Sequence, residues 1–382
     1  MKFVCLILIL AMPFAAQASI KFGDAKGGNR EHYLEKGQVW RKMDIPSLNL
    51  LMGPQDSVAV PPGQVIRCHY VEWEKPAVGA SPKFNCKLDS GKVIRFKYGQ
   101  ENREIFAEVL TTRLFWALGF YSDDKYAVRV HCIGCPENNP FKPEKSERRV
   151  DRDFPYAMME PKYAGFTIEN SPDEGWAWKE LEKVKSDKGG ASPDQIGALA
   201  LLAVFVQHGD QKPPQQRIQC SKGDVVYNGK GKKAKGECMR PVLMVQDLGS
   251  TFGRADQSTS DQAKMRFELW SQHPVWDLQE EAAYYKRTGH KVCIGDLTAS
   301  ATARTEGLDH PVISEGARKF LSDEMMQLSD AQIHDLFAAA RSDETGEKIK
   351  VDGGERTVTI DDWVQAFKKK RQEIVERNCN PM

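Results

Sequence analysis

Two short stretches carry residue types that do chemistry. The first, His208-Gly209-Asp210-Gln211-Lys212-Pro213-Pro214-Gln215, comes after a long apolar run. An Asp and a Lys two apart, leaving a buried element for a Gly/Pro-rich loop, aim a carboxylate and an ammonium at one cleft. The plain alternative is an ordinary turn, where Asp and Gly are common and Lys is solvated. The second stretch is Val245-Gln246-Asp247-Leu248-Gly249, a strand-like run ending in Asp-Leu-Gly. A carboxylate at a strand end suits a hard cation, although Asp near Gly also caps turns. Upstream, Lys97 closes the strand pattern of 93–97, and Glu104 and Glu108 lie one helical turn apart on the next run.

The elements that must position these residues can be read from spacing. Runs at 65–73, 83–88 and 92–99 alternate like strands, with turns at 75–82 and 89–91. A helix is expected over about 102–118, closed by Gly119. A strand at 126–130 leads into Cys132-Ile133-Gly134-Cys135, the charged stretch 137–153 reads as a loop, and another strand runs from Phe154 to Lys162. The remainder is mainly helical. Trp176–Lys185 reads as a helix, with Trp176 and Trp178 as packing residues. Ser192-Pro193-Asp194-Gln195 is a capping box opening a run to Gln207 that is apolar almost all round, hence a buried central helix. Helices over about 330–341 and 360–377 flank an expected hairpin. The fold class is α+β: an antiparallel sheet with one helix (64–162), then a mainly helical half (163–382) carrying an inserted hairpin at 218–240. Residues 19–63, broken by Pro46, Pro54, Pro61 and Pro62, read as an extension wrapped on the surface.

Composition bounds the compartment more than the activity. The chain has 382 residues, with 54 Lys plus Arg against 53 Asp plus Glu, so net charge offers no general argument for nucleic-acid binding. Residues 1–18, MKFVCLILILAMPFAAQA, read as a secretory signal: one Lys, an apolar run too short for the roughly 20 residues of a spanning helix, and small residues before the cut. No later run is long and apolar enough to span, so the mature chain is expected in the periplasm or outside the cell. Cys5 leaves with the signal, and eight cysteines remain. An even set in an oxidising space suggests disulfides. Cys68 with Cys86, Cys132 with Cys135 and Cys220 with Cys238 are natural local pairs, which leaves Cys293 with Cys379. The competing reading is a zinc site using His131, Cys132 and Cys135. A Lys-rich tip at 228–236 makes 208–254 basic, nine Lys/Arg against four Asp/Glu, as an anionic acceptor or a solvated tip would want.

Taken together, the motifs resemble those of protein kinases. HGDQKPPQ is similar to the catalytic loop of Ser/Thr kinases, with His208, Asp210, Lys212 and Pro213 in register, and MVQDLG is similar to their metal-binding DFG segment. The order of strand Lys97, helix Glu108, loop Asp210 and Asp247 is the kinase order, over roughly residues 65–255. The spelling looks closer to atypical branches, such as HipA-type, phosphatidylinositol-kinase-like or secreted kinases. The resemblance implies a two-lobed fold and transfer of a phosphoryl group from ATP, with Mg²⁺ or Mn²⁺, to an unidentified hydroxyl acceptor. It implies that Lys97, fixed by Glu108 or by Glu104, holds the α/β-phosphates. Asp210 would orient or deprotonate the acceptor, Lys212 would touch the γ-phosphate, and Asp247 would bind metal. The segment 78–83, including Gly79 and Ser81, would cover the phosphates, and residues 158–162, including Met159 and Glu160, would form the hinge beside adenine. Gln215 stands where the family has a metal-binding Asn. The phosphate loop has only Gly79, and Pro82 removes a backbone donor. A catalytically inactive binding module of the same fold is the rival reading.

Overall fold

The computed structural model describes residues 28–54, 60–74, 77, 79–161, 163–168, 174–228, 235–257, 260–298 and 307–379. The signal segment and the tip residues 229–234 lie outside the described residues. A short helix, α1 (Gly28–Glu35), opens the described chain. The segment after it does not wrap the surface as expected: Tyr33, Leu34, Val39, Ile45 and Leu50 are buried in the larger core. Its backbone is held as well as its side chains, because Gln332 donates to the Ile45 and Leu48 carbonyls at 2.7 and 3.1 Å. Val39, Ile45 and Leu50 lie beyond the helix without helix or strand periodicity, so their burial leaves no regular signature.

Alternation then builds a barrel. Strands β1 (Gln64–Val71), β2 (Lys83–Leu88) and β3 (Val93–Tyr98) form an antiparallel meander. Helix α2 (Glu104–Ala117) is next, and then β4 (Tyr126–Pro136) and β5 (Arg149–Glu160). The strand order is β1-β2-β3-β5-β4, closed by a parallel pairing of β1 with β4. This corrects the expected open antiparallel sheet, and it corrects the expected loop at 137–153, whose last residues already belong to β5. The inner residues Phe84, Cys86, Ile94, Phe96, Phe154 and Met159 make a core of their own. Every residue of α2 except Trp116 is buried, Glu104 and Glu108 included.

The second half carries the larger core. The expected helix at 176–185 is a 3₁₀ turn over Trp178–Lys183, and the Trp176 and Trp178 rings pack 5.4 Å apart. Beyond β6 (Phe166–Thr167), helix α3 (Pro193–Val206) starts on its capping box: the Gln195 N–H donates to Ser192 Oγ, and the Ser192 N–H to Gln195 Oε1. Strands β7 (Gln216–Cys220), β8 (Val225–Asn228), β9 (Lys235–Cys238) and β10 (Val242–Val245) come next. β10, β7 and β6 form one sheet, and β8 and β9 form the inserted hairpin. After them come α4 (Phe267–Gln272), α5 (Leu278–Thr288), β11 (Cys293–Ile294) and β12 (Val312–Ile313). α6 (Glu315–Met326), α7 (Asp330–Ala339), the hairpin β13 (Lys348–Val351) and β14 (Gly354–Thr357), and α8 (Ile360–Glu376) complete the chain. No helix among the described residues is long and apolar enough to cross a membrane.

The eight cysteines beyond residue 18 pair as the spacing suggested: Cys68–Cys86, Cys132–Cys135, Cys220–Cys238 and Cys293–Cys379. Cys132 and Cys135 are thereby taken from any zinc site, and His131 instead meets Asp153 at 2.8 Å. The Cys293–Cys379 bridge spans 86 residues, and closing a loop of that size stabilises by about 4.5 kcal/mol in the chain-entropy picture. Replacing both cysteines by Ser is expected to lower the melting temperature by roughly 10 °C. An unchanged melt, with two free thiols titrating in the parent protein, would mean that this bridge does not form.

Candidate functional site

Two junctions bring the site together. On the barrel side, alternation along β3 turns Phe96 inward and Lys97 outward, toward α2. On the helical side, α3 ends at Gln207 in the left-handed conformation (φ 53°), which turns the chain sharply into His208-Gly209-Asp210. Gln207 holds that strained turn by donating to the Asp296 carbonyl at 2.6 Å. The Gly209 N–H donates to the Ser250 carbonyl at 2.8 Å, so the loop is pinned to the segment just beyond Asp247.

Lys97 is buried among carboxylates. Its Nζ lies 2.5 Å from Glu104, 2.9 Å from Glu108 and 3.8 Å from Glu160. Glu104 and Glu108 thus share the partner role, where the sequence left a choice between them. Carboxylate oxygens of Glu104, Glu108 and Asp247 all lie within 4.8 Å of one another. That grouping could suggest a metal site, but the Lys97 ammonium already supplies its cation. Burial by itself would lower the Lys97 pKa; the Glu108, Asp247 and Glu104 carboxylates outweigh it and raise the pKa well above the usual lysine range. Burial raises the Glu108 carboxyl well above the usual glutamate range, with Asp247 pushing the same way. Against its own burial, Lys97 holds Glu104 down at about 2. The two glutamates therefore shift in opposite directions, Glu104 downward and Glu108 upward.

The Asp-Leu-Gly segment reaches this cluster through a close backbone approach. A Cβ on Gly249 would stand 2.2 Å from the Glu104 Cγ, so only glycine lets the segment lie against α2. The Gly249 N–H donates to Asp247 Oδ1 at 3.3 Å. Antiparallel pairing of β10 with β7 sets Val245 opposite Gln216 and so brings Asp247 beside Gln215. The N–H groups of Gln246 and Asp247 donate to the Gln215 carbonyl at 2.9 and 3.2 Å. The Gln215 side chain donates in turn to Asp210 Oδ2 at 3.0 Å, and Lys212 pairs with Asp210 at 3.1 Å. Gln215 therefore ties the two aspartates into one unit. His208 is fully buried against Trp178, and desolvation lowers its pKa to about 4, so it stays neutral.

A cavity of about 680 Å³ lies between the barrel and the helical half. Gly79, Lys97, Glu108, Glu160, Gln215 and Asp247 line it. Asp210 and Lys212 do not line it; they stand behind Gln215. Ser81 points elsewhere too, since its hydroxyl donates to Glu104. The Met159 side chain belongs to the barrel core, and its backbone lies within the sheet between Phe96 of β3 and Tyr126 of β4, so it does not form the expected hinge contact. Sequence reasoning missed a second buried ion cluster, in which Lys125 pairs with Glu160 at 3.1 Å and Asp123 at 3.5 Å. Burial opposes the ionised Glu160, yet Lys125 and Lys97 bring it down to about 2. Ser122-Asp123-Asp124-Lys125 reads as a polar turn, and no local signal marks it as buried.

No family model matches the chain, and no curated protein matches it. Among solved structures, the crystal structure of a Helicobacter pylori proinflammatory kinase, CtkA, is similar over 82% of this chain and 96% of that chain, at 9% identity and a TM-score of 0.38. A likeness that loose assigns neither family nor activity, and any functional reading has to rest on the residues of the cavity.

Proposed function

We propose that the chain is an exported, kinase-like phosphotransferase that moves a phosphoryl group from ATP or a related phosphoanhydride to a hydroxyl acceptor. The observation that carries this reading is the cluster of Lys97, Glu104, Glu108 and the half-buried Asp247, of which Lys97, Glu108 and Asp247 line the 680 Å³ cavity, with Asp210 coupled to it through Gln215. Phosphoryl transfer asks mainly for held phosphates and neutralised charge, and these residues offer both. Lys97 would bind the phosphates from a position its glutamates fix. Asp247 and the Gln215 amide oxygen are hard donors suited to Mg²⁺ or Mn²⁺, which when bound neutralises charge on the donor. The acceptor oxygen forms a bond to the terminal phosphorus as the bond to the bridging oxygen breaks. The bridging oxygen keeps the electron pair, the hydroxyl proton goes to Asp210, and Lys212 offsets charge beside it. Four disulfides fit an oxidising compartment and support the exported reading.

Asp210→Asn separates this activity from simple binding. Turnover of ATP with an added hydroxyl acceptor is expected to fall by about 10²–10⁴-fold, while nucleotide affinity, followed by calorimetry, stays within about threefold. One observation favours the inactive-module alternative: both Lys212 and Gln215 already occupy the Asp210 carboxylate. Metal-dependent nucleotide binding with no turnover, unaltered by Asp210→Asn, would decide for that alternative.

A further inference from the structure

The cavity's roof is a row of outward side chains from the β2–β3 pair. Where Phe84, Cys86, Ile94 and Phe96 fill the barrel, Lys83, Asn85, Arg95 and Lys97 face the cavity. Register sets Lys83 directly opposite Lys97, and Asn85 opposite Arg95. Like charges directly across an antiparallel pair repel unless something compensates them. Lys97 has its glutamates. Lys83 has no ion pair among the described residues; its Nζ lies 5.5 Å from the centre of the Phe141 ring. The same Nζ sits under the covering loop, 2.9 Å from where a Cβ on Gly79 would be. Burial lowers the Lys83 pKa, and the neighbouring Lys97 lowers it further, which is the signature of a cation short of an anion.

The loop above cannot supply what a glycine-rich loop supplies. It has one glycine and a proline without an N–H. The remaining walls are also unlike a slot for a flat base, which is normally apolar or aromatic. Here they include Arg95, Glu160 and Gln219, and Tyr163 is the one aromatic ring lining the cavity among the described residues.

We propose that Lys83, Arg95 and Lys97 form a cationic rail for a phosphate chain, so that recognition of the donor rests on its oligophosphate rather than on a base. This deepens the phosphoryl-transfer reading and depends on it. The test uses the oxidised mature protein with Mn²⁺ or Mg²⁺, titrated calorimetrically with adenosine, ATP and inorganic tripolyphosphate. Tripolyphosphate is expected to bind within about threefold of ATP, and adenosine not measurably. Lys83→Gln is expected to weaken both phosphate ligands about tenfold, with Lys83→Arg near the parent, the loss of one charge-assisted contact. Melting curves of both variants check that they fold. ATP binding a hundredfold tighter than tripolyphosphate, or Lys83→Gln binding like the parent, overturns the inference. If Asp247→Asn abolishes ATP binding while Lys83→Gln leaves it intact, only the rail falls. If neither phosphate ligand binds the parent protein, the phosphoryl-transfer reading falls with it.

Discussion

Asp247→Asn is expected to lower phosphoryl transfer by about a thousandfold or more, because it removes the charged donor to the cation that neutralises the transferring group. The change keeps size and shape, and Asn can still accept the Gly249 N–H that Asp247 accepts now, so the fold should persist. The clearest readout is linkage. A ligand at a hundred times its dissociation constant stabilises by about 2.7 kcal/mol, which raises the melting temperature by several degrees in a chain of this size. That metal-dependent rise should appear with ATP in the parent protein and vanish in the variant. Full turnover in Asp247→Asn would sink the proposed mechanism outright.

Lys97→Met should act on stability as strongly as on activity. It leaves Glu104, Glu108 and Asp247 facing one another without their ammonium, and breaking a buried pair from one side costs about 3–5 kcal/mol. The pH dependence should also steepen above the ordinary glutamate range, where burial already raises Glu108 in the parent. In the parent protein the folded pKa of Glu104 is depressed to about 2. Its contribution is therefore full above the ordinary glutamate range and is lost as pH falls toward about 2. In the variant the orphaned carboxylates have folded pKa values above their unfolded ones. Stability is then greatest below the ordinary glutamate range and is lost as pH rises through the raised values. Urea melts at pH 5 and pH 8 would show it: the raised Glu108 pKa already lowers the parent's midpoint somewhat at pH 8, and Lys97→Met should widen that gap. Equal losses at both pH values would mean that the carboxylates do not depend on Lys97.

How much of the molecule was legible in the sequence depended on the range of the interactions involved. Period-two alternation predicted β2 and β3 and hence the outward Lys97, because each side chain's face is set by its own position. The capping box at Ser192 predicted the start of α3 from four residues. Barrel closure was not legible, since it joins Gln64 to Val128 by a parallel pairing that no local pattern records. α5 was not predicted; its Leu278, Ala282 and Tyr285 recur at helical spacing, but none of its residues is buried and its mean composition is polar. The Lys125–Glu160 pair and the joint role of Glu104 were missed for another reason. Both depend on charged groups being buried, which composition argues against and only tertiary packing can arrange.

The parallel seam of the barrel also has a kinetic meaning. β1 leaves the ribosome about sixty residues before the β4 strand it must pair with, and contacts of such separation form slowly because loop closure must come first. Until β4 arrives, the meander has an unpaired edge and cannot complete its core. A chain released before β4 is made would present an unpaired strand edge to its neighbours. Barrel closure therefore waits on the later strands, and the roof over the cavity is complete only once the chain up to β5 is present.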